Sequence, residues 1–433
     1  MAAKKRADEE KSVKKAKKEE TTGLSRSEKA AVLLDHVQKK LKGRAVLLPA
    51  SQYVLPWVTK RIPTGILTLD LELKGGFPAG GISQLVGRRS AGKSLLMWQC
   101  IRQLQHFLGD KMMVLLAMTE IPADRSQARL AGVKIALGQE ELQAINDKRQ
   151  LMGLPPLTDK EARELAPEVG TIHELHALAV EDFYDIILQA VDSNIYHLIV
   201  IDSIGNALAA AEQENESVHD KVYGGISAPN TTFLKKLTNM MTMRTDEGQV
   251  RDTCVIGINQ VRDNIKDPNA PYKAPGGNAL EHAKLVDIYI ESGGLIGGDQ
   301  PVFTPAGWKQ QFVPTGKDIN WKIVKGKAGM HEGAKGKFVF QYALANIDFA
   351  LDTLVAGVTH GIVSQSGAWL GIVDPDNPKE YLLRAQGKDA FIQALMQDAQ
   401  QKAAAGDPES WMNYIRQACY DKAEIPIKYT DWE

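Results

Sequence analysis

The sequence predicts an α/β fold with a mostly parallel central sheet covered by helices on both faces, and three observations predict it. Short apolar runs recur at Met112 to Ala117, His197 to Ile201, Thr253 to Ile258 and Val286 to Ile290. Continuous runs of this length are strands buried on both faces. Helix-prone stretches such as Val180 to Ser193 and Thr231 to Met243 separate them, and strands alternating with helices wind into a parallel sheet. The third observation is a strand, Ile82 to Val86, followed by a glycine-bearing loop and a helix pattern from Lys93 to about Phe107. Strand, glycine loop and helix in that order make a phosphate-binding unit.

The elements before and after that unit set the domain organisation. Residues 1–24 alternate Lys/Arg with Glu/Asp blocks and hold almost no apolar side chains, so they cannot offset the entropy of ordering and are expected to be a disordered basic arm. Residues 25–60 carry one amphipathic helix, from Ser25 or Ser27 to about Lys42, through Ala30, Val32, Leu33, Leu34, Val37 and Leu41, with Ser27 as N-cap and Gly43 as terminator, and then a linker. The core is expected over 61–347. In it, the alternating apolar residues Ile66, Leu67, Leu69 and Leu71 lead into the turn Gly75-Gly76-Phe77-Pro78, and residues 136–174 form a polar, helix-prone insert broken at Gly153-Leu154-Pro155-Pro156. Residues 348–433 mix helices with Gly and Pro turns and are expected to be a small α+β C-terminal subdomain.

Composition narrows the function classes. The chain has 433 residues, 44% hydrophobic and 24% charged, with a formal charge of −1, so contact with nucleic acid must come from local basic strips. Three widely spaced cysteines, Cys100, Cys254 and Cys419, form no metal-ligand spacing, which suits a reducing, cytoplasmic compartment. No apolar run approaches the length of a membrane span, and the lysine-rich start is not followed by a signal-peptide stretch. No membrane association is expected.

Gly87-Arg88-Arg89-Ser90-Ala91-Gly92-Lys93-Ser94 fits the nucleotide phosphate loop. Its glycines let backbone N–H groups curl around phosphates, Lys93 reaches the β- and γ-oxygens, and the Ser94 hydroxyl ligates Mg²⁺. ATP and Mg²⁺ are the expected cofactors. Arg88 and Arg89 inside the loop have no assigned role. Asp202, at the end of the run Leu198 to Ile201, is the carboxylate for the magnesium's water shell. Glu120 follows the run ending at Ala117, at the sheet edge where hydrolytic water would be activated.

With these residues in place, the sequence resembles the RecA family, because several separated motifs occur in that family's order over roughly Ser25 to Tyr420. Glu120-Ile121-Pro122-Ala123-Asp124 is similar to the family's E-x-x-x-D, which implies that Glu120 activates water and Asp124 contacts adenine. Ile258-Asn259-Gln260 resembles the strand end whose glutamine senses the γ-phosphate and opens the second DNA loop. Gly276-Gly277-Asn278-Ala279-Leu280 resembles the far end of that loop, which implies DNA contacts from Val261, Arg262, Ile265, Lys266, Lys273, Gly276, Gly277 and Asn278. A first DNA loop is implied at Glu212 to about Ala228, with His219, Lys221, Gly224 and Gly225. Lys325-Gly326-Lys327 is similar to the lysine pair that reaches the ATP of a neighbouring subunit.

The resemblance implies a RecA-like P-loop core with an N-terminal polymerisation helix that docks on the adjacent protomer. It implies a DNA-dependent ATPase forming helical homo-oligomeric filaments on single-stranded DNA and exchanging strands with homologous double-stranded DNA, with single-strand-binding or mediator proteins as further partners. Departures are the long insert at 136–174 and His282 where an aromatic interface residue is expected; they fit a divergent, phage-encoded relative better than the housekeeping bacterial protein. Two other readings use the same residues: a hexameric DNA helicase of this fold, and an ATP-regulated scaffold that exchanges no strands. A small-molecule kinase would leave both glycine- and lysine-bearing loops without a role.

Overall fold

The computed structural model describes residues 25–41, 51, 55–119, 122–177, 179–204, 227–243, 249–263, 272–273, 277–305, 307–375, 377 and 379–425. The chain divides into two compact units, residues 1–54 with 242–251, and residues 55–241 with 252–433. In the first, helix α1 spans Arg26–Leu41. Its cap is Ser25 and not Ser27: the Ser25 hydroxyl accepts from the Glu28 N–H at 3.3 Å while the Ser25 N–H donates to the Glu28 carboxylate at 2.7 Å, a reciprocal capping box. The disordered arm assigned to residues 1–24 lies outside the described residues.

The second unit begins with β1 (Arg61–Ile62), α2 (Leu67–Glu72) and β2 (Phe77–Pro78). The alternating stretch from Ile66 to Leu71 is helical because it is buried all round. Leu67 and Leu71, one turn apart, pack into the C-terminal subdomain, whereas Ile66, Leu69 and Leu73 pack into the core. Helical geometry serves two cores at once, which period-two alternation on a single buried face would not.

A nine-stranded sheet follows. Its strands are β3 (Ile82–Gly87), β4 (Met113–Met118), β5 (Thr171–Leu175), β6 (Leu198–Asp202), β7 (Cys254–Gln260), β10 (Lys284–Thr304), β11 (Gly307–Gly326), β12 (Lys335–Gln341) and β13 (Asn346–Ile347). They run in the order β13-β12-β11-β10-β3-β7-β6-β4-β5. From β10 to β5 all pairings are parallel, and β11 to β13 add an antiparallel flank. Two apolar layers sandwich it. Helix α3 (Lys93–Leu108) covers one face with Leu96, Met97, Trp98, Cys100, Ile101 and Leu104. Helices α7 (Val180–Ser193) and α8 (Ser227–Thr242) cover the other through Phe183, Ile187, Val191, Phe233, Leu234 and Leu237. Fully burying each such side chain contributes about 1.5–3 kcal/mol, and this two-sided burial is why β4 and the Leu198–Ile201 stretch of β6 read as unbroken apolar residues, whereas β3 carries buried Ser83 and Gln84.

Between β4 and β5 the chain forms α4 (Arg125–Leu130), α5 (Gln139–Leu151) and α6 (Asp159–Leu165). The insert read at 136–174 thus contains two helices, and its last residues are an edge strand of the main sheet. Two short strands, β8 (Arg262–Asp263) and β9 (Tyr272–Lys273), pair with each other, and α9 (Gly277–Ala283) leads into β10. The C-terminal part comprises α10 (Phe349–Thr359), a three-stranded antiparallel sheet of β14 (Val363–Ser366), β15 (Trp369–Val373) and β16 (Tyr381–Gln386), then α11 (Lys388–Ala404) and α12 (Trp411–Lys422). Among the described residues no helix is long and apolar enough to cross a membrane.

The largest departure from the sequence reading is the β10–β11 hairpin. The apolar run Val286 to Ile290 is only the first part of a 21-residue strand, which pairs antiparallel with a 20-residue partner. Beyond Ile290, Gly293, Gly294, Gly297, Gly298 and Pro301 disguise the strand as turns.

Candidate nucleotide site

Strand register gathers the phosphate loop, Asp202 and Gln260 at one edge of the sheet. Gly87 at the end of β3 pairs with Gln260 at the end of β7, and Asp202 at the end of β6 pairs with Ile258, two residues earlier on β7, and with Met118 of β4. All four strands are parallel, so their C-terminal ends open on the same side, where ligands of α/β sheets bind. Thr119 clamps this corner: its N–H donates to the Asp202 carbonyl at 2.8 Å, and the Ser203 N–H donates to its hydroxyl at 3.0 Å. The Asp202–Ser203 peptide bond is cis. Glu120, one residue after Thr119, lies outside the described residues.

The loop from Gly87 to Ser94 has the backbone that a phosphate cradle requires. A Cβ at Gly87 would sit 2.2 Å from the Ile290 carbonyl oxygen of the neighbouring strand, and Gly92 takes a φ of +104° with Ile319 packed 3.0 Å from its would-be Cβ. Only glycine fits both positions. Lys93 is buried, and its ammonium donates to the carbonyls of Gly87 at 2.9 Å and Arg88 at 2.7 Å. Ser94, Arg88 and Arg89 are exposed at the mouth. A cavity of about 460 Å³ opens here, lined by Ser90 to Leu95, Trp98, Gln127, Leu130, Lys317, Ile319, Phe340 and Ala345. Backbone N–H groups at the start of α3, one buried ammonium, one exposed hydroxyl and an apolar wall suit a nucleoside triphosphate with its divalent cation.

Asp124 stands elsewhere. Its carboxylate accepts from the Gln127 N–H at 3.0 Å as the N-cap of α4, and it lines a separate cavity with Glu140, Glu141, Glu168 and Glu174. One turn further on, Gln127 and Leu130 of the same helix line the nucleotide cavity instead.

Sequence spacing did not reveal Lys317. It sits on β11, two strands from the phosphate loop, and its ammonium donates to the Ser90 carbonyl at 3.1 Å. The usable signal was the alternation Ile319, Trp321, Ile323, which marks a strand with one buried face and brings Lys317 to the same end of the sheet as Ser90 once β11 is paired.

The pair Lys325 and Lys327 lies toward the other end. Lys325 pairs with Asp287, which is level with Gln84, three residues before Gly87. That is roughly 10 Å along the strands and about 10 Å across two strand spacings. The Lys325 ammonium donates to the Glu281 carbonyl, on the helix that precedes β10, and so is held away from its own phosphate loop. Beneath it Lys284 is fully buried, donating to Gln84 at 3.0 Å and Glu281 at 2.6 Å and pairing with Asp287. Burial raises the Asp287 carboxyl pKa and Lys284 opposes that rise. Burial, then Lys327 and Lys284, lower the Lys325 pKa.

Of the residues assigned to DNA, Arg262 and Lys273 are paired through their backbones in β8 and β9. Val261, between β7 and β8, donates its N–H to the Gly87 carbonyl at 3.4 Å. Gly277 and Asn278 open α9. His219, Lys221, Gly224, Gly225, Ile265, Lys266 and Gly276 lie outside the described residues. His282 is exposed on α9.

Residues 49–228 match the family model described as AAA domain. The chain is 28% identical over 349 residues to Protein RecA of Geobacter sulfurreducens, covering 79% of this chain and 84% of that protein. It is 27% identical over 310 residues to Protein RecA of Francisella tularensis subsp. novicida, covering 71% of this chain and 70% of that one.

Proposed function

We propose, from the premise that the chain is a divergent member of the RecA family, that it is an ATP-dependent recombinase. In this reading it assembles as a helical filament on single-stranded DNA and exchanges strands with homologous double-stranded DNA, as a DNA-dependent ATPase of the cytoplasm. The observation that carries the reading is the separation of Lys325 and Lys327 from the phosphate loop of the same chain. Lys325, held by the Glu281 carbonyl away from its own loop, would instead contribute to the nucleotide of a second copy. Joining one end of a copy to the opposite end of the next is a heterologous contact, which generates filaments or rings.

The chemistry follows from the residues in hand. Lys93 and the loop N–H groups hold the β- and γ-phosphates, and Ser94 with Asp202 would hold Mg²⁺, which neutralises charge on the leaving oxygens. Glu120 orients the attacking water, and the neighbour's Lys325 and Lys327 stabilise charge that develops on the phosphoryl group; Asp124, which lines a separate cavity, is left out of the nucleotide contacts. Gln260 adjoins both the phosphate loop and the strands leading to the second DNA loop, so γ-phosphate contact there would change DNA affinity. That loop, with the first loop around His219 and Lys221, contacts phosphates without reading bases. Helix α1 docks on the adjacent protomer, and single-strand-binding or mediator proteins act on the filament.

The test is ATP hydrolysis with and without single-stranded DNA, alongside electron micrographs of the same samples with a slowly hydrolysed ATP analogue. DNA stimulation together with open helical filaments is the expected result and leads to a strand-exchange assay. Closed rings would replace the reading with a helicase, and neither stimulation nor polymer would replace it with a regulatory scaffold.

A further inference from the structure

The β10–β11 hairpin outgrows the sheet. β10 runs beside β3 up to Ile290, level with Gly87, and then continues past the edge that carries the phosphate loop. β12 covers β11 only from Lys322 to Gly316. From Gly297 opposite Pro314 to Thr304 opposite Gly307 the two strands pair with each other and, among the described residues, with no third strand. That free ribbon is roughly 25 Å long at about 3.4 Å per residue.

Its composition does not suit a solvated arm. Phe303 pairs with Trp308, and the register puts Pro301 and Phe312 on the same face. Phe303 is 69% exposed and Trp308 71%, their rings meeting edge to face at 5.4 Å, and Phe312, also exposed, lies on the same face four residues further along β11, its ring over Gly297. A two-stranded hairpin is marginal in water by itself, and an aromatic face at its tip marks a docking surface. Charge identifies what it docks on. Residues 297–314 hold a single acid, Asp299, and a single base, Lys309. A DNA-phosphate surface needs several neutralising cations, so the ribbon is not built for DNA.

We infer that the Gly297–Pro314 ribbon is an inter-subunit arm whose aromatic face, Phe303, Trp308 and Phe312, packs on the next copy of this chain in the assembly. The inference rests on the head-to-tail reading above: the phosphate-loop edge is the edge that must meet a second copy, and the ribbon projects from that same edge. An arm of this reach crosses the joint and adds apolar contact to an interface that otherwise depends on bound nucleotide.

The test uses the full chain. Because Cys100, Cys254 and Cys419 are all buried, a Gln310→Cys variant takes a photo-crosslinking maleimide at one exposed position on the aromatic face, opposite Pro301. Illumination in the presence of single-stranded DNA and a slowly hydrolysed ATP analogue should give covalent dimers and higher ladders of the chain. In parallel, a Phe303→Ser/Trp308→Ser double variant should need about ten-fold more protein to assemble, while its melting temperature and its binding of a fluorescent ATP analogue stay at wild-type values. Filaments that form at the wild-type concentration, or a label that couples to DNA and not to protein, would overturn the arm. A wild-type chain that does not assemble at all would overturn the head-to-tail reading itself, and the arm with it.

Discussion

The ammonium of Lys317 lies 3.1 Å from the carbonyl oxygen of Ser90 and so ties strand β11 to the phosphate loop. Ser90 takes a positive φ of 60° at the crest of that loop, a conformation that costs a non-glycine residue free energy unless its surroundings hold it. Lys317 both holds it and adds a second cation to a cavity that already contains Lys93. Lys317→Ala should raise the KM for ATP about ten-fold, with a smaller change in kcat and little change in melting temperature; Lys317→Arg should recover most of the loss. A KM unchanged in Lys317→Ala would show that the lysine is only a surface strand residue.

Separation of Lys325 from its own loop gives a complementation prediction. Lys325→Ala and Lys93→Ala should each lose ATPase activity by about two orders of magnitude, the range seen when one charge-stabilising donor is removed. Mixed in equal amounts, roughly a quarter of head-to-tail joints would combine an intact phosphate loop with an intact lysine, and activity should recover accordingly. No recovery at any mixing ratio would mean that the lysines do not act across the joint.

Gln260 pairs with Gly87, and β8 begins two residues later, so the end of the phosphate-loop strand is level with the last residue before the segment proposed to bind DNA. Gln260→Ala should bind ATP with near wild-type affinity and yet lose the ATP-dependent tightening on single-stranded DNA, read by fluorescence anisotropy with and without a slowly hydrolysed analogue. Tightening of the wild-type size in the variant would reject the coupling.

The uneven legibility of these parts has physical causes. Gln260 came from the family resemblance alone, whereas the phosphate loop and Asp202 were readable because each is local, a glycine spacing or a polar residue ending an apolar run, and a parallel sheet brings such run-ends together by construction. Lys317 and buried Lys284 were not, since their roles depend on which distant strand lies alongside, and strand pairing leaves no trace in spacing. The ribbon was hidden for the opposite reason. A strand paired only with its hairpin mate needs no apolar run, so Gly297-Gly298 and Pro301 read as turn residues although they lie in a regular ladder. Helix α2 hid behind its double burial, which spreads leucines over both periodicities.

Asp70 makes stability pH-dependent at the junction of the core and the C-terminal part. Its carboxylate is fully buried, accepting from the Thr64 N–H at 2.7 Å, the Thr64 hydroxyl at 2.8 Å and the Gly65 N–H at 2.9 Å. Burial dominates these favourable contacts and pushes its pKa up to about 7. The folded value lies above the unfolded one of about 3.9, so between these values the folded chain keeps a proton that the unfolded chain has released. This contribution is therefore complete below about pH 4 and is lost as pH rises through about 7, at a slope of about 1.4 kcal/mol per pH unit within the window. Asp70→Asn should flatten that slope. The variant forfeits one acceptor toward Gly65 and should be less stable than wild type at pH 5 by about 1–2 kcal/mol; at about 1.4 kcal/mol per pH unit the wild-type advantage should vanish between about pH 6 and 6.5, reverse by pH 7, and stop changing once the folded carboxyl ionises. Denaturant unfolding of both proteins at pH 5, 6, 7 and 7.5 decides it: parallel stability curves would mean that Asp70 is already ionised throughout and that its donors, the Tyr420 hydroxyl at 3.4 Å included, outweigh its burial.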